Sequence, residues 1–590
     1  MVLLVEKYCL MRYTLIMAIY KQDDIVTLLI SGYGASGEGV AKKDGFTFFV
    51  PFVLVDETIT VKINHVNKKG LIFASVKEIL NPSPLRVKPP CNRFTRCGGC
   101  DMMHIDYKKQ LEIKRDNIVN LLRKNAGIEF PVDETVPCSS PYEYRNKIQL
   151  PFGEVNGKVA VGFFKENSHK IVSITKCFLH GVWVEKLIEV FLDFANQNKL
   201  SAYNDMTKRG LLRHMVARQI DGQYCIVVVT NNNDLPKSKE LCNRLIEKIG
   251  DNFALYVSIK KTHDNVILGE KLKVIKSREI EVDILGIKCE INPYSFLQLN
   301  NEIRDKIYSK VINNIMEKSS SPIVLDAYAG VGAIGAVMAK RGARVYNIEI
   351  VPEATKDGDK LASKNGISDK VTNICGDASI VLPELIKYIL GNQNDENKSL
   401  KSIISQNVSI ILDPPRKGCD ERVLKAITEL ECEYDLYYIS CNPATLTRDL
   451  KILCESGKLK LNSITPYDMF PQTKHVETLV VLSHKKPDGH ISVNVEFGEE
   501  EGQVSLKDIE KRAKEREPKK KITYKDIQAY IEEKYGFKVH TAYIAEVKRD
   551  LGLPIYDAPN AVEELKKPRQ HPTEKMVEAI KDALKHFEII

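Results

Sequence analysis

Cys441 sits in the run Tyr438-Ile439-Ser440-Cys441-Asn442-Pro443, which reads as an apolar strand ending in a thiol and opening a helix through Thr445 and Leu450. The N-terminus of that helix is expected to lower the thiol pKa and make Cys441 a nucleophile. Asp413 ends a second apolar run and is followed by Pro414, Pro415 and Arg416. The prolines fix an extended, strand-ending turn that projects the carboxylate. Glu477, in Lys474-His475-Val476-Glu477-Thr478, enters the last apolar strand, an unusual place for a carboxylate unless it faces a site. A thiolate that adds to C6 of a uracil ring makes an enolate whose C5 can attack a sulfonium methyl. The C5 proton must then leave before the sulfur can be eliminated, which requires a base. Glu477 and His475 both qualify, and alternation puts them on one face. Asp-Pro-Pro also grips exocyclic nitrogens in amino methyltransferases, so Asp413 by itself does not name the target atom.

The strand, turn and helix that would position a cofactor lie upstream. Leu325-Asp326-Ala327-Tyr328-Ala329-Gly330-Val331-Gly332-Ala333 sets a Gly-x-Gly turn between an apolar strand and a helix. Glycine there lets a ligand approach the backbone at the carboxyl end of a sheet. Glu349 closes the next strand, where a carboxylate can hydrogen-bond both ribose hydroxyls. An Asp ahead of the glycines and no third Gly at dinucleotide spacing favour S-adenosylmethionine over NAD. Asp377, after the third strand, is placed to touch an adenine amino group. A thiol cluster is also present: Cys91, Cys97 and Cys100 fall within ten residues, and Cys177 would supply a fourth ligand. Four thiolates suit tetrahedral zinc or a [4Fe–4S] cluster.

The whole chain has 590 residues, is 43% hydrophobic and 28% charged, and carries a net charge of +8, values that exclude wholesale disorder and permit nucleic-acid binding. Fourteen cysteines without a secretion signal argue against a disulfide scaffold. No run is apolar enough to span a membrane, so a cytoplasmic protein is expected, with no obligate protein partner. Residues 1–21 read as a leader, with Met17 a candidate start. Residues 22–82 alternate like a small β-barrel, and 83–290 mix strands and helices around the cysteines. Regular strand–helix alternation over 291–487 predicts a parallel, doubly wound sheet. Residues 488–590 hold charged linkers, including Lys519, Lys520 and Lys521, and three short helices. Those about Gly536 resemble a helix-turn-helix, an expected accessory nucleic-acid contact.

Taken together, FLQLN (296–300), LDAYAGVG, LDPPRKG, YISCNPATLTRDL and DMFPQTKHVET resemble the 23S ribosomal RNA (uracil-5-)-methyltransferases, over residues 22–485. The resemblance implies an α/β fold with a Rossmann-like S-adenosylmethionine domain, an N-terminal TRAM-like, OB-type barrel, an α+β central domain and, outside the family boundary, a helical extension. It implies Cys441 as nucleophile, Glu477 as base, and Gln298, Tyr328, Glu349, Asp413 and Asp377 as cofactor contacts. Ala333 departs from the polar residue often found after the second glycine. For Cys91, Cys97, Cys100 and Cys177 the family implies a [4Fe–4S] cluster that structures the protein or orients RNA. The expected substrate is a uridine in 23S ribosomal RNA, with transfer RNA as the alternative. An amino methyltransferase and a non-enzymatic RNA-binding protein are the remaining rivals. Lys42, Lys43, Lys62, Lys68 and Lys69 on the barrel are expected to hold phosphates. Tyr144-Arg145-Asn146-Lys147 and Gly210-Leu211-Leu212-Arg213-His214 look like RNA-contacting elements.

Overall fold

A computed structural model describes residues 19–391, 408–485, 524–551, 553 and 572–587, apart from single positions 35, 36, 68, 166, 167, 169, 263, 265, 270 and 431. Met17, Lys68 and the run Lys519 to Lys521 lie outside the described residues. The chain divides into two units, Met1–Ala513 and Lys514–Ile590.

In the first unit, six strands form an N-terminal sheet: β1 (Ile25–Leu29), β2 (Gly32–Tyr33), β3 (Gly39–Lys43), β4 (Phe46–Val50), β5 (Thr58–Val66) and β6 (Leu71–Asn81). Their order is β1-β5-β6-β4-β3-β2. Strict alternation in β1 and β4 turns Val26, Leu28, Phe46, Phe48 and Val50 inward, as a half-buried sheet requires. Lys42 and Lys69 are exposed, whereas Lys62 pairs with Asp23 at 2.8 Å and the Lys43 Nζ donates to the Thr27 carbonyl at 3.1 Å. Glu57, fully buried, accepts from both Arg86 Nε at 2.5 Å and Nη2 at 2.7 Å, clamping the barrel to the segment that follows.

Helix α1 (Tyr107–Leu121) begins at Asp106, whose side chain caps Lys108 and Lys109. Although α1 precedes the central sheet in sequence, Ile118, Leu122 and Val132 pack into the core beneath the last sheet of this unit. The central sheet comprises β7 (Lys147–Val155), β8 (Lys158–Phe164), β9 (Ile171–Ser173), β10 (Leu212–Ile220), β11 (Gln223–Asn231), β12 (Phe253–Lys260) and β13 (Lys271–Lys276). Helices α2 (Trp183–Gln197) and α3 (Ser238–Ile249) cover one face of it. A hairpin, β14 (Glu281–Ile284) and β15 (Ile287–Glu290), then leads to α4 (Asn301–Met316).

The last sheet is built from β16 (Ile323–Ala327), α5 (Ala333–Lys340), β17 (Arg344–Glu349), α6 (Pro352–Lys364), β18 (Val371–Cys375), α7 (Ala378–Gly391), β19 (Val408–Leu412), α8 (Glu421–Thr428), β20 (Tyr434–Ser440), α9 (Pro443–Glu455), β21 (Leu459–Tyr467) and β22 (Glu477–His484). Its order is β18-β17-β16-β19-β20-β22-β21. The first five strands are parallel, and β22 runs antiparallel to both neighbours. Every residue of β16, β19 and β20 is buried, because helices cover both faces. Strand order reverses between β16 and β19, which opens a crevice at their carboxyl ends. This is the expected doubly wound architecture.

In the second unit, α10 (Tyr524–Tyr535), α11 (Thr541–Asp550) and α12 (Glu574–His586) enclose Ile527, Ile531, Ile544, Val547, Ile580 and Leu584. Gly536, at φ 73°, ends α10 in a left-handed turn, with its N–H donating to the Glu532 carbonyl.

Candidate active site

Sheet register brings the thiol and the acid together. Antiparallel pairing sets Ser440 opposite Thr478, so Cys441, one residue beyond, falls opposite Glu477. Directly opposed residues of an antiparallel pair share a face. Asp413 follows β19 on the other side of β20, and it and Glu477 are the carboxyls that act on the thiol. His475 lies before β22 begins, with its ring edge-on to Phe470. β22 thus begins two residues after His475, and the Glu477 carboxyl acts on the thiol.

The thiol is not activated at rest. Burial, then Glu477 and Asp413, push Cys441 up to about 11, with Arg416 acting in the opposite direction. This corrects the expected lowering by the helix N-terminus. Cys441 does precede the α9 cap, Asn442, but lost hydration and two facing acids raise the thiol. Glu477 is 2% exposed, and burial and Asp413 hold its carboxyl far above the usual range. Burial raises Asp413 to about 7.

The cofactor side of the crevice is shaped by backbone. Gly330 and Gly332 have φ of 59° and 73°. A Cβ at Gly332 would collide with the Asn347 amide, while the space beside Gly330 is open. Glu349 Oε2 accepts from the Gly330 N–H at 2.9 Å and Oε1 from Val351 N–H at 2.8 Å, so this carboxylate spans the glycine turn. Tyr328 also has positive φ, 68°, and its hydroxyl is hydrogen-bonded to Cys419. Asp377 caps α7 by accepting from Ser379 N–H at 2.8 Å, which gives it a structural task at the crevice rim. Gln298 lies half-buried in the loop before α4, its carbonyl held by Asn146 Nδ2 at 2.9 Å. Ala333 is the first residue of α5.

Two residues at the site go beyond the sequence reading, which used Asp326 only to favour S-adenosylmethionine over NAD and gave Arg416 no role. Asp326 is 1% exposed, has an oxygen without a partner among the described residues, and faces Asp413 and Glu349. Its place at the end of a fully apolar strand was the available signal. Arg416, directly after Asp-Pro-Pro, faces both Cys441 and Glu477. The expected RNA-contacting run at Tyr144 turns inward instead. Tyr144 donates to the Pro471 carbonyl at 3.0 Å, Arg145 Nε donates to Tyr144 Oη, and buried Asn146 braces the Gln298 loop. Lys147 is pushed down to about 8 by burial and Arg218. Gly210, Arg213 and His214 line a separate cleft on the central sheet with Lys170 and Lys260.

Cys91, Cys97, Cys100 and Cys177 do come together, lining one shielded cavity with Arg145 and Phe94. Burial raises the thiols of Cys97, Cys100 and Cys177. Among the described residues no group of three or more His, Cys, Asp or Glu is arranged to hold a metal ion. A single zinc draws its sulfurs to about 2.3 Å from one point. The four thiols lining the cavity are donors of a kind that zinc or an iron–sulfur cluster takes. The thirteen described cysteines are all free.

A glycine turn facing a ribose-competent carboxylate, at the switch point of a sheet with one reversed strand, defines a Rossmann-like S-adenosylmethionine-dependent methyltransferase. Residues 106–485 match the family described as tRNA (Uracil-5-)-methyltransferase. The chain belongs to this family of S-adenosylmethionine-dependent uracil-5 RNA methyltransferases. It is 36% identical over 468 residues to an uncharacterized RNA methyltransferase of Halalkalibacterium halodurans, covering 79% of this chain and 98% of the relative. It is 34% identical over 467 residues to one of Clostridium tetani, covering 79% of this chain and 97% of that protein. The crystal structure of the Pyrococcus abyssi tRNA (uracil-54, C5)-methyltransferase in complex with S-adenosyl-L-homocysteine superposes with a TM-score of 0.60 at 27% identity, covering 77% of this chain and 99% of that one. Among the described residues no helix is long and apolar enough to cross a membrane.

Proposed function

We propose that the chain forms 5-methyluridine in 23S ribosomal RNA, in the cytoplasm, through a covalent bond between Cys441 and C6 of the target base. The observation that carries the covalent step is that Cys441 and Glu477 follow directly on the Ser440–Thr478 pair that ends the β20–β22 ladder, with the Glu477 carboxyl acting on the thiol. A methyl transfer to nitrogen would need no thiol at that position.

S-adenosylmethionine, held against Gln298, Tyr328, Glu349 and the glycine turn, supplies an electrophilic methyl group. The Asp413 carboxylate balances positive charge at the end of β19. A flipped uridine presents C6 to Cys441. Cys441 gives its proton to solvent, and as the thiolate forms the S–C6 bond the C5–C6 double bond opens to an enolate with nucleophilic C5. After C5 gains its methyl, Glu477 takes the C5 proton, the S–C6 bond breaks and the C5–C6 double bond returns. Glu477 acts as a carboxylate in that step and so must first lose its resting proton. Asp377 keeps its cap and borders the adenine end. Cys91, Cys97, Cys100 and Cys177 would ligate a [4Fe–4S] cluster that orders the central domain and takes no part in methyl transfer. Iron and sulfide analysis of anaerobically purified protein, against zinc, tests that assignment.

RNA containing 5-fluorouridine has no removable C5 proton. Wild type should therefore trap a protein–RNA adduct that Cys441→Ala cannot form, and Glu477→Gln should accumulate a methylated adduct on natural RNA. Full activity of Cys441→Ala would overturn the mechanism. Transfer RNA is the second reading, supported by the name of the Pyrococcus abyssi enzyme. Side-by-side methylation of unmodified 23S and transfer RNA, with mapping of the product, decides the substrate.

A further inference from the structure

We propose that Asp449 is a positioning residue for the cofactor, acting through the backbone of Cys419 to fix the Tyr328 hydroxyl. This rests on the reading of Tyr328 as a cofactor contact.

Asp449 lies on α9 with no exposed surface, and both of its oxygens are engaged. Oδ2 accepts from the Cys419 N–H at 2.9 Å and from the Tyr438 hydroxyl at 2.6 Å, and Oδ1 accepts from Arg448 Nε at 2.7 Å. One carboxylate thus ties α9 to strand β20 and to the loop 413–420. Arg448 Nη2 reaches the same loop, donating to the carbonyls of Lys417 at 3.1 Å and Cys419 at 3.3 Å. Where α9 begins, Asn442 Nδ2 donates to the Arg416 carbonyl at 2.9 Å. The approach is close enough to require glycine. Gly418 has φ of 78°, and a Cβ there would stand 2.5 Å from Arg448 Nη2 and 2.7 Å from Asp449 Oδ2.

What this loop presents to the crevice is a socket for Tyr328. Tyr328 belongs to the glycine turn, and its hydroxyl meets the Cys419 thiol and the Asp420 backbone. Cys419 is buried, so its sulfur goes where its backbone is held, and Asp449 holds that backbone. Hydrogen bonds to a buried charge are the strong ones, so the socket is set before a ligand arrives and binding need not order it.

Calorimetric Kd values of S-adenosylhomocysteine for the full chain test this. Asp449→Asn turns an amide N–H towards one of three donors and should weaken binding about tenfold, the scale of a hydrogen bond to a buried charge. KM for S-adenosylmethionine should rise with it, while kcat stays within about twofold. Tyr328→Phe, without the anchored hydroxyl, should weaken binding by a similar factor. The double variant should bind no more weakly than the weaker single one, because both break one connection, whereas independent effects multiply. Arg448→Met keeps the buried acid and changes a half-exposed side chain. It should show the same pattern at about threefold, and where Asp449→Asn folds poorly this second cycle decides by the same rule. Factors that multiply, or wild-type affinity in Asp449→Asn or Tyr328→Phe, overturn the proposal and leave Asp449 a residue that only stabilises the fold. Wild-type affinity in Tyr328→Ala would instead remove Tyr328 from the cofactor site, and with it the reading on which the proposal rests.

Discussion

Cofactor affinity should titrate through Asp413. Burial places its carboxyl at about 7, so near that pH half of the free protein carries a neutral Asp413. A sulfonium is held by the ionised form, and binding therefore expels a proton. The observed Kd is the intrinsic value divided by the ionised fraction. A carboxyl at about 7 then makes binding roughly tenfold weaker at pH 6 than at pH 8, about 1.4 kcal/mol. S-adenosylhomocysteine has the same adenosine and amino-acid ends but a neutral sulfur. Calorimetric Kd values for the two ligands, taken as a ratio across pH, therefore isolate the sulfonium contribution. The ratio should change about tenfold in wild type and flatten in Asp413→Asn. A ratio that is constant in wild type refutes the placement of the sulfonium beside Asp413. The same shift has a sign for stability. The folded pKa of Asp413 lies above its unfolded value near 3.8, so its favourable contribution is complete below that value and is lost as pH rises through about 7. Asp413→Asn should accordingly melt above wild type at pH 8, with the gap closing near pH 4.

Other buried contacts give stability and affinity tests. Lys114 and Asp468 are an ion pair with side chains 1% and 0% exposed, joining α1 to the segment that precedes Glu477. Lys114→Met should cost about 3–5 kcal/mol in urea unfolding, and Lys114→Met with Asp468→Leu should recover most of it. Glu57→Gln should destabilise by about 3 kcal/mol, because the Arg86 guanidinium loses a fully buried bidentate partner. A thermal melt of the Met1–Ala513 unit reads that loss. Asn146 Nδ2 also donates to Asn301 Oδ1 at 2.8 Å, so Asn146→Ala should release the Gln298 loop. At about 1–2 kcal/mol for the lost bonds, S-adenosylmethionine should bind about tenfold more weakly, with little change in kcat at saturation.

Alternation and apolar runs carried most of the fold. β1, β4 and the fully buried β16, β19 and β20 fall where periodicity placed them, because their burial is decided locally. The glycine turn was equally legible, since its positive φ values restrict the residues that can stand there. What local pattern could not supply is the identity of a side chain's neighbours. The polar run Tyr144 to Lys147 has the composition of an RNA-facing segment, yet Asn146 is buried by a loop that arrives much later in the chain. Cys441 has the setting of an activated thiol, but its proton affinity is raised first by burial and then by Glu477 and Asp413, which arrive from two other parts of the sheet.

Register explains why Glu477 and His475 were inseparable beforehand. Two residues apart in one extended run, they share a face only if the strand includes both. β22 begins at Glu477, and pairing with β20 continues away from His475. The preceding turn instead anchors through Gln472, whose Oε1 accepts from Gln110 Nε2 on α1 and whose backbone N–H donates to Gln110 Oε1. An anchor from α1 thus holds the turn that leads into β22. Weakening that anchor should disturb proton removal from C5 sooner than formation of the S–C6 bond, because Cys441 is held independently by β20 and the Asn442 cap. Gln110→Ala should therefore build up methylated adduct on natural RNA, as Glu477→Gln does. Normal turnover with no adduct would show that the β20–β22 ladder alone suffices to hold Glu477 in place.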